Sequence, residues 1–159
     1  MKSKNVLGLA LTLFVIALMP FATNAAPDKS SGTWKMNFDK SHYSPGPTPT
    51  SLMVIVETDA NDYKVDATGI DGNGKPIHIQ YDAKFDGKDY PASGIAGADV
   101  VSVKRVDTNT IETMEKKDGK VVMLILSKVS KDGKSRTSTW RGLTSDGKDV
   151  YNVVFYDKQ

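Results

Sequence analysis

Side chains that could perform acid–base or nucleophilic chemistry are few and scattered in this sequence. A Ser-His-Asp triad or a zinc site would have to be built around one of the two histidines, His42 and His78. His42 lies beside Tyr43 with no ligand cluster at metal-binding spacing, and His78 lies on the polar side of an alternating segment. The absence of cysteine excludes thiolate ligands, a thiol nucleophile and disulfides. We therefore predict no catalytic residue, no metal site, no cofactor and no enzymatic activity.

Many acidic residues belong to a repeated turn signal. Asp-Gly is followed by lysine in Asp71-Gly72-Asn73-Gly74-Lys75, Asp86-Gly87-Lys88, Asp118-Gly119-Lys120, Asp132-Gly133-Lys134 and Asp146-Gly147-Lys148. Calcium would need about six to eight oxygen ligands, and a phosphate-binding loop would need a following helix. None of the 19 acids lies on a face that we infer to be interior, so paired carboxylates for glycoside hydrolysis are not predicted. The repeats predict tight hairpin turns.

The segments between these turns alternate as half-buried β-strands do. Ile77, Ile79 and Tyr81 share one face of the segment 76–85, whereas His78 and Gln80 lie on the other. The last three turns are 14 residues apart, which leaves room for one strand and its turn. Nine strands are predicted, namely the Trp34 segment, 52–58, 63–69, 76–85, 100–106, 110–116, 120–127, 135–141 and 150–156. The predicted fold class is all-β, an antiparallel up-and-down meander closing into a barrel of about 8–10 strands.

The interior of such a barrel is expected to be mostly apolar, with a few polar groups. The predicted ligand-binding residues are those on the inferred interior faces: Trp34, Met36, Phe38, Ile77, Ile79, Tyr81, Val103, Tyr151, Val153 and Phe155. Barrels of this size can hold one small ligand. The same side chains could instead fill the interior completely, so a small apolar ligand and a solid core remain alternatives.

Two predicted strands, 52–56 and 121–126, are apolar on both faces. In the second, we expect Val121, Met123 and Ile125 to face the core and Val122, Leu124 and Leu126 to face outward. An exposed apolar stripe is uncommon on soluble monomers. A covering loop, a second subunit or another protein partner is therefore expected on Val122, Leu124 and Leu126.

Two segments interrupt the regular meander. Prolines at alternate positions in Ser44–Thr50 predict an extended ordered loop across one end of the barrel. Asp89–Asp99, with two glycines and a proline, is predicted to be a loop or a short irregular edge strand. Together with Tyr43, these segments could form the rim of a barrel mouth, although simple turn chemistry explains their composition equally well.

Residues 1–25 have the organisation of a secretory signal peptide. Lys2 and Lys4 precede an apolar run from Val6 to Phe21, and small residues around Ala25 and Ala26 offer a cleavage site. Removal of this segment takes away two lysines and no acid, so 21 basic residues become 19, equal to the 19 acids. We expect a single β-barrel domain at 26–159, exported to the periplasm or beyond, with no nucleic-acid partner and no membrane contact after cleavage.

Several short motifs resemble those of one protein group. Gly32-Thr33-Trp34 near the start of a meander that ends in Val153-Val154-Phe155-Tyr156 resembles the calycins, which include the lipocalins and the fatty-acid-binding proteins. A closer resemblance, to small secreted bacterial lipocalin-like proteins mostly without assigned function, rests on Gly32-Thr33-Trp34-Lys35, Tyr43-Ser44-Pro45-Gly46-Pro47, Gly74-Lys75-Pro76-Ile77, 81–90 and Tyr156-Asp157-Lys158-Gln159. It covers nearly all of residues 26–159.

The resemblance implies a non-catalytic barrel that binds a small apolar ligand. It also implies that Trp34 closes one end of the barrel beneath an arginine, which Arg136 or Arg141 could supply by a cation–π contact. The helices of fatty-acid-binding proteins and their Arg-x-Tyr pair on the last strand have no counterpart here. The alternative function is a structural or protein-interaction module with a filled core.

Overall fold

The computed structural model describes residues 28–144 and 146–159. The predicted signal peptide, 1–25, lies outside the described residues. Ten strands follow one another: β1 (Gly32–His42), β2 (Ser51–Thr58), β3 (Asp62–Ile70), β4 (Pro76–Lys84), β5 (Asp89–Ser93), β6 (Val100–Asp107), β7 (Thr110–Lys117), β8 (Lys120–Val129), β9 (Ser135–Leu143) and β10 (Asp149–Lys158).

Every strand pairs antiparallel with its neighbour in the sequence, and β10 pairs with β1 to close the barrel. This confirms the all-β class and the up-and-down meander, and it is consistent with a lipocalin-like fold in general. The additional strand is β5, which lies within the segment predicted as a loop or a short edge strand. The described part of the chain contains no helix long and apolar enough to cross a membrane.

The Asp-Gly repeats form the hairpin turns. Between β7 and β8, Asp118 and Gly119 have φ angles of 50° and 74°, so both central residues of this two-residue loop have the positive φ that a type I′ turn requires. In the β3–β4 turn, the Asp71 carboxylate accepts hydrogen bonds from the backbone N–H groups of Asn73 and Lys75, both at 2.8 Å. The turn aspartates therefore satisfy backbone donors, as their spacing predicts.

The core lies inside the barrel and is built from alternate residues of each strand. Trp34, Met36, Val54, Val56, Val101, Val103 and Val154 are all at most 5 % exposed. Residues 28–31 lie at the end where β1 begins, and the Trp34 indole N–H donates to the Ser30 carbonyl oxygen at 3.0 Å. Trp34 is thus buried at a barrel end that the preceding segment covers.

The proline-rich loop joins β1 to β2 at the opposite end of the barrel. Its Ser44 N–H donates to the Asn152 side-chain oxygen at 2.9 Å, and the Ser44 carbonyl accepts from the Tyr151 N–H at 2.7 Å. Farther along, Pro47 lies so close to Gly72 that a side chain there would overlap it. The loop therefore runs along this end from β10 to the β3–β4 turn, and Tyr43 packs against the core.

Candidate functional site

A cavity of about 70 Å³ lies inside the barrel. One part of its wall is apolar, formed by Leu52, Val54, Val65, Ala67, Ile79 and Ile125. The other part carries hydrogen-bonding side chains, namely Tyr63, Tyr81, Thr113, Glu115, Ser127, Arg136, Ser138, Trp140 and Tyr156. The interior is therefore neither completely filled nor mainly apolar, and it differs from both alternatives that the sequence suggested.

Strand β9 supplies a row of polar groups to this wall. Arg136, Ser138 and Trp140 occupy alternate positions of the strand, so their side chains point to the same side. Ser138 pairs with Ser127 of β8, and their hydroxyl oxygens are 2.8 Å apart in a hydrogen bond. Arg136 and Trp140 therefore lie on either side of a hydroxyl pair that is already satisfied.

The Arg136 side chain is buried between aromatic rings. It is 6 % exposed, and its guanidinium carbon lies 4.5 Å from the centre of the Tyr156 ring and 5.4 Å from that of Trp34. A guanidinium N–H also donates to the Tyr156 hydroxyl. Arg141 instead lies 5.3 Å from the ring of Tyr151. Arg136 is thus the arginine that packs on Trp34.

Two N–H groups of the cavity wall have no hydrogen-bond partner among the described residues. They are Arg136 Nε and Trp140 Nε1, and both atoms are buried. An unpaired buried donor costs about 1–3 kcal/mol, so such groups are uncommon in folded proteins. The cavity therefore offers two hydrogen-bond donors to an acceptor atom placed within it.

Glu115 brings a carboxyl group to the same cavity from β7. Its side chain is 9 % exposed, and burial raises its pKa to about 7. Burial also raises the pKa of Tyr81 well above 10, although the nearby Thr113 hydroxyl donates to its oxygen. Around neutral pH the tyrosines are therefore neutral, and the charge of the cavity wall depends on Arg136 and Glu115.

The predicted ligand-binding residues are only partly brought together by the barrel. Ile79 and Tyr81 line the cavity. Trp34, Met36 and Val103 are buried in the core without lining it, and Ile77 packs against that core. The side chains that do line the cavity are thus mostly ones that the sequence did not single out.

The predicted interior positions of Tyr151, Val153 and Phe155 are wrong. In β10, the buried residues are Asn152, Val154 and Tyr156, whereas Tyr151 is 45 % exposed. Both faces of this strand are largely apolar, and the face with Asn152 looked more polar in the sequence. Asn152 is accommodated inside because its side-chain oxygen accepts the Ser44 N–H.

Phe38 and Val121 are also misplaced by the alternating pattern. The pairing of β1 with β10 shifts between Asn37 and His42, and Phe38 is 37 % exposed in an outer groove beside Met53. The pairing of β7 with β8 shifts after Glu115, and Val121 is 53 % exposed rather than in the core. In both strands an irregular register reverses the face that regular alternation predicts.

The sequence prediction missed Glu115, the most unusual group of the site. Ile111, Thr113 and Glu115 alternate on one face of β7, and all three are buried. Because Ile111 is strongly apolar, its parity was a signal that Glu115 could point inward. That signal was weak, since Met114 occupies the opposite face.

The remaining comparisons add no site and no family. In residues 28–144 and 146–159, no three side chains of the metal-binding types form a group that could hold a metal ion. Comparison of the chain with protein-family models gave no match, and comparison with curated proteins gave none.

Proposed function

We propose that this protein is an exported, non-catalytic barrel that binds a small molecule in its interior. The supporting observation is the cavity with two unpartnered buried donors, Arg136 Nε and Trp140 Nε1. A ligand with a hydrogen-bond acceptor would satisfy one or both of them, while its apolar part would contact Leu52, Val54 and Ile125. The expected ligand is thus partly apolar and carries an acceptor, rather than being wholly apolar.

The chemistry of the wall supports binding better than catalysis. Its hydroxyl pair, Ser127 and Ser138, is hydrogen-bonded to itself, and no histidine is among the residues that line the cavity. Activation of a serine hydroxyl would require an adjacent general base. We therefore assign these groups to holding a ligand rather than to transforming it.

The size of the cavity limits the ligand. A water molecule needs roughly 10–15 Å³ of such space, and an engineered cavity of about 150 Å³ takes up benzene. At about 70 Å³, the cavity has room for a few non-hydrogen atoms unless the barrel opens further. Native mass spectrometry of protein purified from its own source tests whether such a molecule accompanies it, and reproducible isolation of the empty protein would count against the proposal.

The donor of Trp140 gives a first prediction. We expect Trp140→Phe, which removes the N–H and keeps an aromatic ring, to weaken acetamide binding about fivefold, because a neutral hydrogen bond contributes about 1 kcal/mol. For a ligand of four non-hydrogen atoms we expect wild-type dissociation constants in roughly the millimolar range. NMR shifts of the Ile79 and Ile125 methyl groups would measure both.

The matched control for this experiment is Tyr151→Phe. Tyr151 lies on the outer face of β10 and is 45 % exposed, so this change should leave acetamide affinity unaltered. Equal affinities of wild type and Trp140→Phe would show that the indole N–H does not contact the ligand.

Export is the part of the proposal that depends on residues outside the described range. The order of Lys2 and Lys4, the apolar run 6–21 and the small residues near Ala25 supports cleavage after Ala25 or Ala26. The intact mass of the exported protein should show the loss of 25 or 26 residues. A full-length product in the membrane fraction would contradict export by cleavage.

A second candidate function is protein interaction through the outer face of β8. Leu126 is 39 % exposed, and Leu124 lies in a row with Arg141 and Tyr151 across β8, β9 and β10. Such an apolar exterior supports contact with a second copy or another protein through Val122, Leu124 and Leu126. It is compatible with an internal ligand, because the two surfaces lie on opposite sides of the sheet.

Leu124→Lys tests this candidate. We expect the variant to keep the circular dichroism spectrum of the barrel and to shift sedimentation from dimer toward monomer. Thr68→Lys on β3 is the control, since Thr68 is exposed and β3 lies five strands away in the barrel order. If Leu124→Lys leaves sedimentation unchanged, the outer face of β8 is not a self-association surface.

A further inference from the structure

Glu115 and Arg136 are the two side chains of the cavity wall that can carry a formal charge near neutral pH. Glu115 forms no salt bridge within the described residues, so Arg136 does not neutralise it directly. We propose that Glu115 selects ligands by charge: in its neutral form it leaves Arg136 as the single charge of the wall, and the cavity then takes a small monoanion such as a short carboxylate. This inference rests on the proposed function as a binding barrel.

The groups that face Glu115 define its electrostatic environment. Strands β3, β4 and β10 contribute Tyr63, Tyr81 and Tyr156, whose pKa values are all raised by burial, and β9 contributes Arg136. From β2 and β8 the wall receives no titratable group. On β6, Arg105 forms an ion pair with Asp28 at 2.6 Å, and on β5 the Tyr90 hydroxyl donates to Asp86. Glu115 is thus surrounded by neutral groups, apart from the cation of Arg136.

Ionisation of Glu115 would place an anion in the space that the ligand must occupy. Two like charges inside a low-dielectric cavity repel strongly, so an anionic ligand and an ionised Glu115 exclude each other. Because burial already brings the pKa of Glu115 to about 7, its neutral form is available close to neutral pH. A protonated carboxyl can also donate its hydrogen to a carboxylate oxygen.

The choice of an anion over a neutral acceptor follows from Arg136. This guanidinium is 6 % exposed and retains an N–H without a partner in the described part of the chain. A hydrogen bond between an ionised donor and an ionised acceptor is roughly twice as strong as a neutral one. A buried cation without a counter-ion is costly, and a bound anion would supply that counter-ion.

Acetate and propionate, with acetamide and propionamide as neutral controls of the same shape, are suitable probes. We expect the affinity of wild-type protein for the carboxylates to fall by about tenfold or more between pH 6 and pH 8.5, because binding retains a proton on Glu115. The amides should bind with the same affinity at both pH values. Glu115→Gln should bind carboxylates equally well at pH 6 and pH 8.5.

A measurement on the wild-type protein avoids dependence on the folding of this variant. The carbon-13 shift of the Glu115 carboxyl, followed from pH 5 to 9, should show a higher titration midpoint with saturating propionate than without it. An unchanged or lower midpoint would overturn the inference.

The outcomes separate the inference from the proposed function. Carboxylate binding that does not depend on pH, or a pH dependence that persists in Glu115→Gln, overturns charge selection by Glu115 and leaves interior binding intact. Tighter binding of amides than of carboxylates at pH 6 has the same meaning. Failure of all four probes to shift the methyl signals of Ile79 and Ile125 at any pH overturns both.

Discussion

Replacement of Trp34 by alanine should lower the free energy of unfolding by about 3–5 kcal/mol, the usual loss for a buried large aromatic side chain. Trp34 is completely buried, and its indole N–H donates to the Ser30 carbonyl oxygen at 3.0 Å. Its ring also lies under Arg136, at 5.4 Å, and under Lys158, at 5.0 Å. The substitution would therefore remove apolar contacts and leave both the Ser30 carbonyl and the Arg136 guanidinium less well covered.

Chemical denaturation followed by circular dichroism measures this loss. Phe38→Ala is the matched control, because Phe38 lies on the same strand but is 37 % exposed, and it should cost clearly less than Trp34→Ala. A loss below about 1 kcal/mol for Trp34→Ala would mean that Trp34 does not hold the barrel end closed.

The strands and turns of this barrel were predictable because two local signals agree. Asp-Gly pairs favour the positive φ angles of hairpin turns, and the segments between them alternate in polarity. The end of β4, for example, was predicted within one residue, at Phe85 instead of Lys84. Only β5 was missed as a definite strand, because its five residues include Pro91 and precede a glycine-rich loop.

The face of each strand was harder to predict than its position. Alternation assigns a face reliably when only one side is apolar, as in β4 with Ile79 and Tyr81. It fails in β10, where both sides are largely apolar, and after the irregular pairings that expose Phe38 and Val121. Pairing partners across the barrel decide these cases, and a single sequence does not contain them.

For the same reason, the polar part of the cavity could not be derived from composition. Arg136 was considered only as a cover for Trp34, and its unpartnered Nε becomes visible only when Tyr156 and Trp34 are placed around it. Glu115 was assigned with the other acids to water. Burial of a carboxyl group is unusual enough that sequence patterns argue against it, which makes its pH dependence a direct test of the fold.

The largest pH effect on stability should come from Glu115. In the unfolded chain its carboxyl ionises near the ordinary pKa of 4.5, whereas burial in the barrel raises the pKa to about 7. Between these values the folded protein keeps a proton that the unfolded chain has released. This contribution to stability is therefore complete below about pH 4.5 and is lost as the pH rises through about 7.

The free energy of unfolding should thus fall by about 2–3 kcal/mol between pH 5 and pH 8.5, as expected for a pKa change of this size. Several exposed aspartates have lowered pKa values, mainly because backbone or side-chain donors bind their carboxylates, and their stabilising effect is lost only in more acidic solution; they are Asp59, Asp86, Asp107, Asp132 and Asp146. A lower limit of pH 5 keeps their titration out of the measurement.

Glu115→Gln should remove this decline, because the amide is neutral at every pH and has nearly the same shape. At pH 8.5 the variant should be more stable than wild type, and at pH 5 the two should be nearly equal. Glu112→Gln is the matched control, since Glu112 lies on the opposite face of the same strand and should leave the pH profile of the wild type unchanged. If the stability difference between Glu115→Gln and wild type is the same at pH 5 and pH 8.5, Glu115 does not retain its proton in the folded barrel, and charge selection at the cavity loses its physical basis.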